Sequence, residues 1–513
     1  GMIFRAYGGL LTGALRLRWL VLVGLIGVTA ACYAGFGQIK QQFFPNSNTP
    51  IFFVHYKLPQ GATIQSTAAD LAEVEAWLAD RDEVVSVATF AGQGADRFML
   101  TYQGERPNPS YGHLIVRTET TAQIPPLRAD LERFGRAALP GGEFRTERIV
   151  FGPGGGAPIA VRFSGADPAV LRQLAAEAQA AMAASSDNLR DMRTNWREQE
   201  LALRPLYADE RAQAAGVSRD DVAEALLFAS DGVRGGTYRE VDRQIPIILR
   251  TAESSSASLS DQEVFSETAG DFVPLAQVID GFELRPENTL FHRRDRMPTI
   301  TVQAGIPPDL TAATVHAEIR EAVEALPLPL GYRMEWGGEF ENSTEANQSL
   351  AQQLPVSLLV MVLISILLFN ALRQPLIIWL LVPMSVNGVV LGLLGTGLPF
   401  TFTALLGLLS LSGMLIKNGI VLVEEIDLVR GEGRALDEAI VAASVSRLRP
   451  VVLAAGTTIL GMIPLLGDAF FVSMAVTIMA GLAFASLLTL IAAPVLYKLL
   501  FRDTSRAAVP QPS

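Results

Sequence analysis

The sequence predicts an α-helical membrane bundle of six transmembrane helices joined to an α+β domain outside the membrane. Three observations carry this. A chain of 513 residues with 50% hydrophobic residues and a mean hydropathy of +0.30 is too apolar for an ordinary soluble protein. Its 18% of charged residues is too many for a pure membrane bundle. Finally, one long apolar stretch is followed by five more after a polar region of roughly 315 residues, from Gln38 to Leu354, which carries most of the Asp and Glu behind the net charge of −11.

The spans read as residues 19–36, 355–369, 376–397, 402–424, 451–466 and 470–500, because a hydrocarbon core of about 30 Å takes about 20 apolar residues at about 1.5 Å rise each. Arg5, Arg16 and Arg18 precede the first span, and Arg373 lies between the second and third. Arg430, Arg434, Arg447 and Arg449 lie between the fourth and fifth, and Lys498 and Arg502 end the last. All fall on one side, which places both termini in the cytoplasm and the acidic region outside. The first span is retained rather than cleaved as a signal peptide, since no small-residue cleavage site ends it and five spans follow. Cys32, the only cysteine, lies within it, so an intrachain disulfide is excluded. Gly1 ahead of Met2 reads as a scar or a cut end.

In the polar region, IFFVHYKL from Ile51 reads as a strand and Pro59-QGAT as a turn. A helix over 63–79 follows, with Leu71, Val74 and Leu78 at helical spacing. Strands VVSVATF and HLIVRT and a helix over 126–138 complete a β-α-β-β-α-β pattern. The linker Gly152-PGGGAP lacks the Lys-Ser/Thr ending of a phosphate loop and opens a strand, so it reads as a hinge. The pattern then repeats: strand IAVRF from Ile159, helix 168–184, strand LALRPL from Leu201, strand TITVQAGI from Thr299, helix 312–325 and strand YRMEW from Tyr332. An insertion with its own helix, over 219–228, and a strand pair splits this second unit. The expected domains are 1–37 (N-terminus and first span), 38–152 (first α/β subdomain), 153–206 with 289–354 (second), 207–288 (insertion), 355–501 (five-helix bundle) and 502–513 (cytoplasmic tail).

Lys417 sits within the fourth span, in the run LLSLSGMLIKNGIVLV. A cation in hydrocarbon costs at least about 2.5–3.5 kcal/mol, so a partner or a function is expected. Snorkelling toward Asp427, about three helical turns away, is the bland alternative. It leaves the neighbouring Asn418 unexplained. A buried ammonium with no carboxylate nearby would tend to lose its proton. Glu424 shares the helix face of Lys417 two turns on, at about 10 Å, stacked but out of contact. It reads either as a polar group inside the bundle or as a plain interfacial carboxylate, and Glu425 and Asp427 read as ordinary helix-end charges.

These residues resemble the C-terminal half of the hydrophobe/amphiphile exporters of the resistance-nodulation-division (RND) family, over essentially the whole chain. The carriers are Phe44-Pro45, Leu58-PQGAT, Glu210-RAQAAGVSRDDVAEAL with Gly235-Gly236, Leu328-PLGYRMEWGGEFE, Pro383, Ser412-GMLIKNGIVLVEE and Arg447-LRPVVLAAGTTILGMIPL. The resemblance implies two ferredoxin-like porter repeats with a docking-type or funnel insertion, in a homotrimeric proton antiporter of the bacterial inner membrane with a large periplasmic domain. It implies export of drugs, detergents or lipids through a tripartite complex, without a cofactor. The implied partners are an N-terminal RND half, a periplasmic adaptor (membrane fusion) protein, an outer-membrane channel and the lipid membrane, with no nucleic acid. Lys417 matches the family's proton-relay lysine, with Asn418 and Glu424 beside it, and Arg447 matches an arginine near the cytoplasmic mouth of that route. Ala454 stands where the family often has threonine, and Thr457 and Thr458, one turn on, are its candidate substitutes. The family's lysine pairs with two aspartates on a span of the N-terminal half. No such span occurs here, so that half is expected as a separate or removed polypeptide, or two copies of this chain pair.

The loop Phe90-AGQGADRF-Met99 combines glycine mobility with aromatic anchors suited to a greasy substrate, and its position resembles the family's substrate-gating loop. Phe90, Gly92, Gly94 and Phe98 are therefore the candidate substrate contacts, against the common occurrence of glycine-rich hairpin loops. Heavy-metal export, the rival within the family, would call for clustered Met or Cys. Met192, Met297 and Met334 show no ligand spacing, and His55, His113, His292 and His316 read as scattered surface or packed histidines, so no metal site is expected. A membrane-anchored assembly or protein-export accessory would show one compact outer domain in place of two repeats and an insertion. No nucleophile–base pair, metal-ligand cluster or phosphate loop points to an enzyme.

Overall fold

The computed structural model describes residues 2–152, 156–250, 259 and 261–501. Gly1, residues 153–155 of the expected hinge and the expected tail at 502–513 lie outside the described residues. The chain opens with α1 (Met2–Arg16) and α2 (Arg18–Phe36). Helix α1 is not legible from propensity, because Gly8, Gly9 and Gly13 each disfavour a helix. Burial of Leu11 and Leu15 against the membrane bundle makes it.

The first α/β unit runs β1 (Ile51–Lys57), α3 (Ile64–Ala79), β2 (Val84–Ala91), β3 (Tyr111–Thr118), α4 (Ile124–Ala138) and β4 (Glu143–Arg148). Its sheet has the order β2–β3–β1–β4, antiparallel throughout. Thr63 caps α3 by accepting from the Ser66 amide. Leu71, Val74 and Leu78 of α3 and Leu127 and Leu131 of α4 pack on Phe52, Val54, Leu114 and Val116 of the sheet. The opposite face of the sheet is left to the loop between β2 and β3.

The second unit begins with β5 (Ile159–Ser164), α5 (Pro168–Ser185) and β6 (Arg190–Thr194). The chain then passes through β7 (Glu200–Tyr207), α6 (Asp209–Ala214), α7 (Arg219–Ala229), β8 (Val233–Glu240), β9 (Arg243–Leu249), β10 (Glu263–Ser266), β11 (Asp271–Pro274), α8 (Leu275–Val278) and β12 (Ile279–Glu287). It returns with β13 (Arg293–Arg294), β14 (Met297–Gly305), α9 (Ala312–Glu324) and β15 (Arg333–Gly337). Strands β6 and β13 share the outer edge of β14, and β5 lies between β14 and β15.

Two expectations need correction here. LALRPL, expected as the second strand of this unit, is β7 and pairs with β12 instead. The place in the sheet belongs to β6, an edge strand whose sequence RDMRT hides it, because an edge strand half in water needs no apolar alternation. The insertion expected over 207–288 accordingly starts earlier. By contacts it is a compact unit of Arg197–Leu290 with Pro59–Gly61, around a core of Ala212, Val217, Val222, Val264, Leu275, Val278 and Ile279.

The membrane helices are α10 (Gly338–Phe369), α11 (Arg373–Leu381), α12 (Val386–Thr396), α13 (Phe402–Gly431), α14 (Leu436–Met462), α15 (Val472–Leu487) and α16 (Ala493–Leu500). A 3-10 turn at Pro383–Ser385 joins α11 to α12, and a π-helical turn at Leu488–Ala492 joins α15 to α16. Together with α2 these make six stretches long and apolar enough to cross a membrane among the described residues. Helix α10 starts well before the expected residue 355, directly from β15, because polar helix formers precede Pro355 and one proline removes only one hydrogen bond. Helix α14 likewise starts before 451, with Asp437 and Glu438 in its first turn complementing the helix dipole.

Small residues let the central spans approach closely, as expected where hydrocarbon supplies no hydrophobic drive between helices. A Cβ on Gly388 of α12 would lie 2.6 Å from the Ala480 carbonyl oxygen, and one on Gly481 of α15 would lie 2.3 Å from Leu411 Cδ2. Gly388→Ala is therefore expected to destabilise the bundle by about 1–3 kcal/mol. Gly395→Ala, where a Cβ meets nothing within 4 Å, should not lower the thermal unfolding midpoint of the purified protein, and relief of the helix cost of glycine should raise it slightly.

Candidate proton-relay and substrate sites

Helix α13 begins at Thr401, whose hydroxyl accepts from the Ala404 amide, and then runs without a break through Lys417. At about 100° per residue, Glu424 falls within about 20° of Lys417, while Glu425 and Asp427 lie about 80° to either side. Contacts follow that wheel. Lys417 and Glu424 are exposed, Asn418 is half-buried, and Gly419 packs on Ile378. Among the described residues, Lys417 makes no ion pair or hydrogen bond.

Glu425 and Asp427, expected as ordinary helix-end charges, instead hold α13 in place. Glu425 Oε2 lies 2.6 Å from Arg447 Nη2 of α14, and its Oε1 accepts from the Ser446 hydroxyl at 2.9 Å. Asp427 accepts from the Tyr497 hydroxyl of α16 and, at 3.0 Å, from Gln374 Nε2 of α11. The structure thus brings Arg447 to Glu425 rather than to Glu424. Thr457 and Thr458 both donate to the Ala454 carbonyl of their own helix, each at 3.0 Å. The signal for Glu425 and Asp427 was the wheel itself, which turns both away from Lys417 and onto neighbouring helices.

In the first α/β unit, the loop after β2 folds over the sheet face that α3 and α4 leave open. Phe90, next to last in β2, has its ring 6.0 Å from that of His113, and half-exposed Phe98 lies 4.9 Å from Tyr102 and 6.2 Å from Phe53. Phe53, Tyr102 and His113 are buried and complete the aromatic face. Gly92 has φ +81°, and a Cβ there would meet Ile64 Cδ1 at 2.7 Å; one on Gly94 would meet the Glu105 amide nitrogen at 2.6 Å. Both glycines therefore sit where a side chain would collide with its neighbours.

His55 and His113, expected to be scattered, are cross-strand partners with rings 5.1 Å apart. Alternation on β1 and β3 sends both side chains to the aromatic face, a signal that pairing the two strands would have revealed. His55 Nδ1 meets the Tyr111 hydroxyl at 2.8 Å, and its Nε2 stops 3.5 Å from Glu147 Oε2. Burial, followed by the charge of Arg145, pushes the His55 imidazole well below its ordinary pKa. Burial also pushes His113 down, to about 4. Burial alone would raise the Glu147 carboxyl, but the His55 imidazole and the Arg145 guanidinium 2.7 Å away hold it below the usual carboxylate range. At neutral pH the face is therefore aromatic and uncharged, with the half-buried Arg145–Glu147 ion pair at its edge. No group of three or more His, Cys, Asp or Glu side chains able to hold a metal converges among the described residues.

The AcrB/AcrD/AcrF family matches residues 2–501 of the chain. Cation efflux system protein CzcA of Alcaligenes sp. (strain CT14) is 26% identical over 539 residues, covering 98% of this chain and 49% of that protein. Multidrug export protein AcrF of Escherichia coli (strain K12) is 24% identical over 511 residues, covering 94% and 48%. A crystal structure of a heavy metal efflux pump superposes with a TM-score of 0.76 at 22% identity, covering 97% of this chain and 52% of that one, which shows a shared fold. The chain spans about half the length of these relatives.

The neutral histidines set a pH dependence. A group whose folded pKa is depressed binds fewer protons folded than unfolded, so stability is lost as pH falls below the unfolded value of about 6.5. His113 should contribute a loss of about 1.4 kcal/mol per pH unit from there down to its folded value of about 4. The thermal midpoint should fall between pH 6.5 and 5, ahead of most carboxylate titration, and the fall should be shallower in His113→Phe.

Proposed function

Because the chain belongs to the AcrB/AcrD/AcrF family of RND transporters, we propose that it acts as the C-terminal half of a proton-driven exporter of hydrophobic or amphiphilic compounds. The observation that carries this reading is Lys417, a cation midway along a membrane-crossing helix with no partner among the described residues and Glu424 on the same exposed face. A carboxylate-bearing span of an N-terminal half would supply its counter-charge. Protonation of that carboxylate would weaken the pair, let the ammonium reorient and shift the packing of α13, a switch driven by charge. Asn418, Arg447, Thr457 and Thr458 would line the route, with Arg447 held by Glu425.

The two α/β units, as ferredoxin-like repeats, would form the periplasmic porter, and the insertion would dock toward an adaptor protein and an outer-membrane channel in a trimer of the inner membrane. Phe90 and Phe98, over Phe53, Tyr102 and His113, would contact a greasy cargo. The relatives named for cation and heavy-metal efflux support a second reading, in which divalent cations are the cargo.

In the completed pump, Lys417→Ala should abolish export while assembly persists, and export at the unmutated rate would remove Lys417 from the mechanism. Resistance of cells carrying the pump to detergents and dyes, set against resistance to zinc, cobalt and cadmium, separates the two cargoes. Phe98→Ala should lower detergent export several-fold if the aromatic face binds the cargo.

A further inference from the structure

Helix α1 has three faces about the helix axis. Tyr7, Gly8, Leu11 and Leu15 turn inward: Leu11 and Leu15 are buried, Gly8 approaches Val445 Cγ2 to within 3.7 Å of a Cβ position, and Tyr7 packs with Leu448, Val451 and Leu490. One flank carries Leu10 and Leu17, 57% and 60% exposed, and Trp19 follows just beyond at 63%. The other carries Arg5, Thr12 and Arg16, all exposed.

Arg5, Arg16 and Arg18 make no ion pair or hydrogen bond among the described residues. Arg447, Lys498 and Arg434, at this end of the bundle, pair with Glu425, Asp437 and Glu432, whereas exposed Arg449 does not pair among the described residues. A helix with an apolar flank and an unpaired basic flank, leaning against a membrane bundle, suits the plane where headgroups meet acyl chains. We infer that α1 is a binding strap for anionic phospholipid of the cytoplasmic leaflet, with Arg5, Arg16 and Arg18 on the phosphates and Leu10 and Leu17 among the acyl chains. Guanidinium groups match a phosphodiester in both charge and donor geometry. The apolar flank selects a lipid over a soluble phosphate.

The strap is tied to the last span. Pro494 has no N–H to offer the Leu490 carbonyl four residues earlier, and Tyr7 of α1 donates its hydroxyl to that oxygen at 2.6 Å. The helix so stitched carries Tyr497, which holds Asp427 of α13. Lipid seated on α1 thereby bears on the π-helical turn that leads into α16 and, through Tyr497, on the end of the helix that bears Lys417.

The test is native mass spectrometry of the full chain released from nanodiscs of equimolar phosphatidylglycerol and phosphatidylcholine. Preferential retention of phosphatidylglycerol is expected, falling roughly fivefold for each arginine removed in the series Arg5→Gln, Arg16→Gln and Arg18→Gln. The triple Arg→Lys variant should keep most of it. Equal retention of the two lipids overturns the proposal, as does a preference that survives in the triple Gln variant. Should that variant fail to fold, raising the salt before release tests the same contacts on the unmutated chain: a preference that weakens supports the strap, and one indifferent to salt sinks it.

Discussion

A primary ammonium set midway along a helix that crosses hydrocarbon costs at least about 2.5–3.5 kcal/mol unless something solvates it, and α13 is arranged around that cost. Its inward faces are fixed first. Gly407 and Gly419 bring it close to Met474 and Ile378, and Glu425 and Asp427 tie its arginine-rich end to α14, α16 and α11. With those faces committed, the wheel leaves Lys417 and Glu424 on the remaining stripe. The helix is thus clamped on the sides that already have neighbours and charged on the side that does not.

The outer region obeys a different constraint. Each α/β sheet covers one face with its own two helices and must dispose of the other. The first unit uses the loop between β2 and β3, and the closeness of that cover explains Gly92 and Gly94. Two buried histidines fit this face only as neutral rings, since charging either one beside Arg145 in a dry, aromatic setting is unfavourable. An uncharged aromatic surface is the outcome.

Periodicity made much of this legible. The six spans, the helices at 64–79 and 312–324 and the strand of IFFVHYK all follow from hydropathy and spacing. Elements decided by partners were not legible. RDMRT is a strand only because β14 lies beside it, and α1 is a helix only because Leu11 and Leu15 find the bundle. In the candidate sites, chemistry singled out Lys417, but the roles of Glu425 and Asp427 depend on which helices α13 touches. His55 and His113 lie far apart in sequence and meet through the register of β1 with β3.

Exposure means something different in this bundle from what it means in water. Only 6% of the apolar stretch of α2, and of α10, is buried, against 39% for α13. In water such bare leucines would demand a partner. Lipid tails are as apolar as leucine, so these surfaces are satisfied by the membrane itself and carry no argument for one. Polar exposure is the discriminating signal. Of the groups on the open faces of α13 and α14, Thr457 bonds back to its own helix and needs nothing further. Lys417 has no such recourse, because an ammonium with three donors cannot be satisfied by the helix that carries it, whose carbonyls are already engaged. Lys417 therefore calls for a carboxylate-bearing partner however much apolar surface the bundle leaves bare.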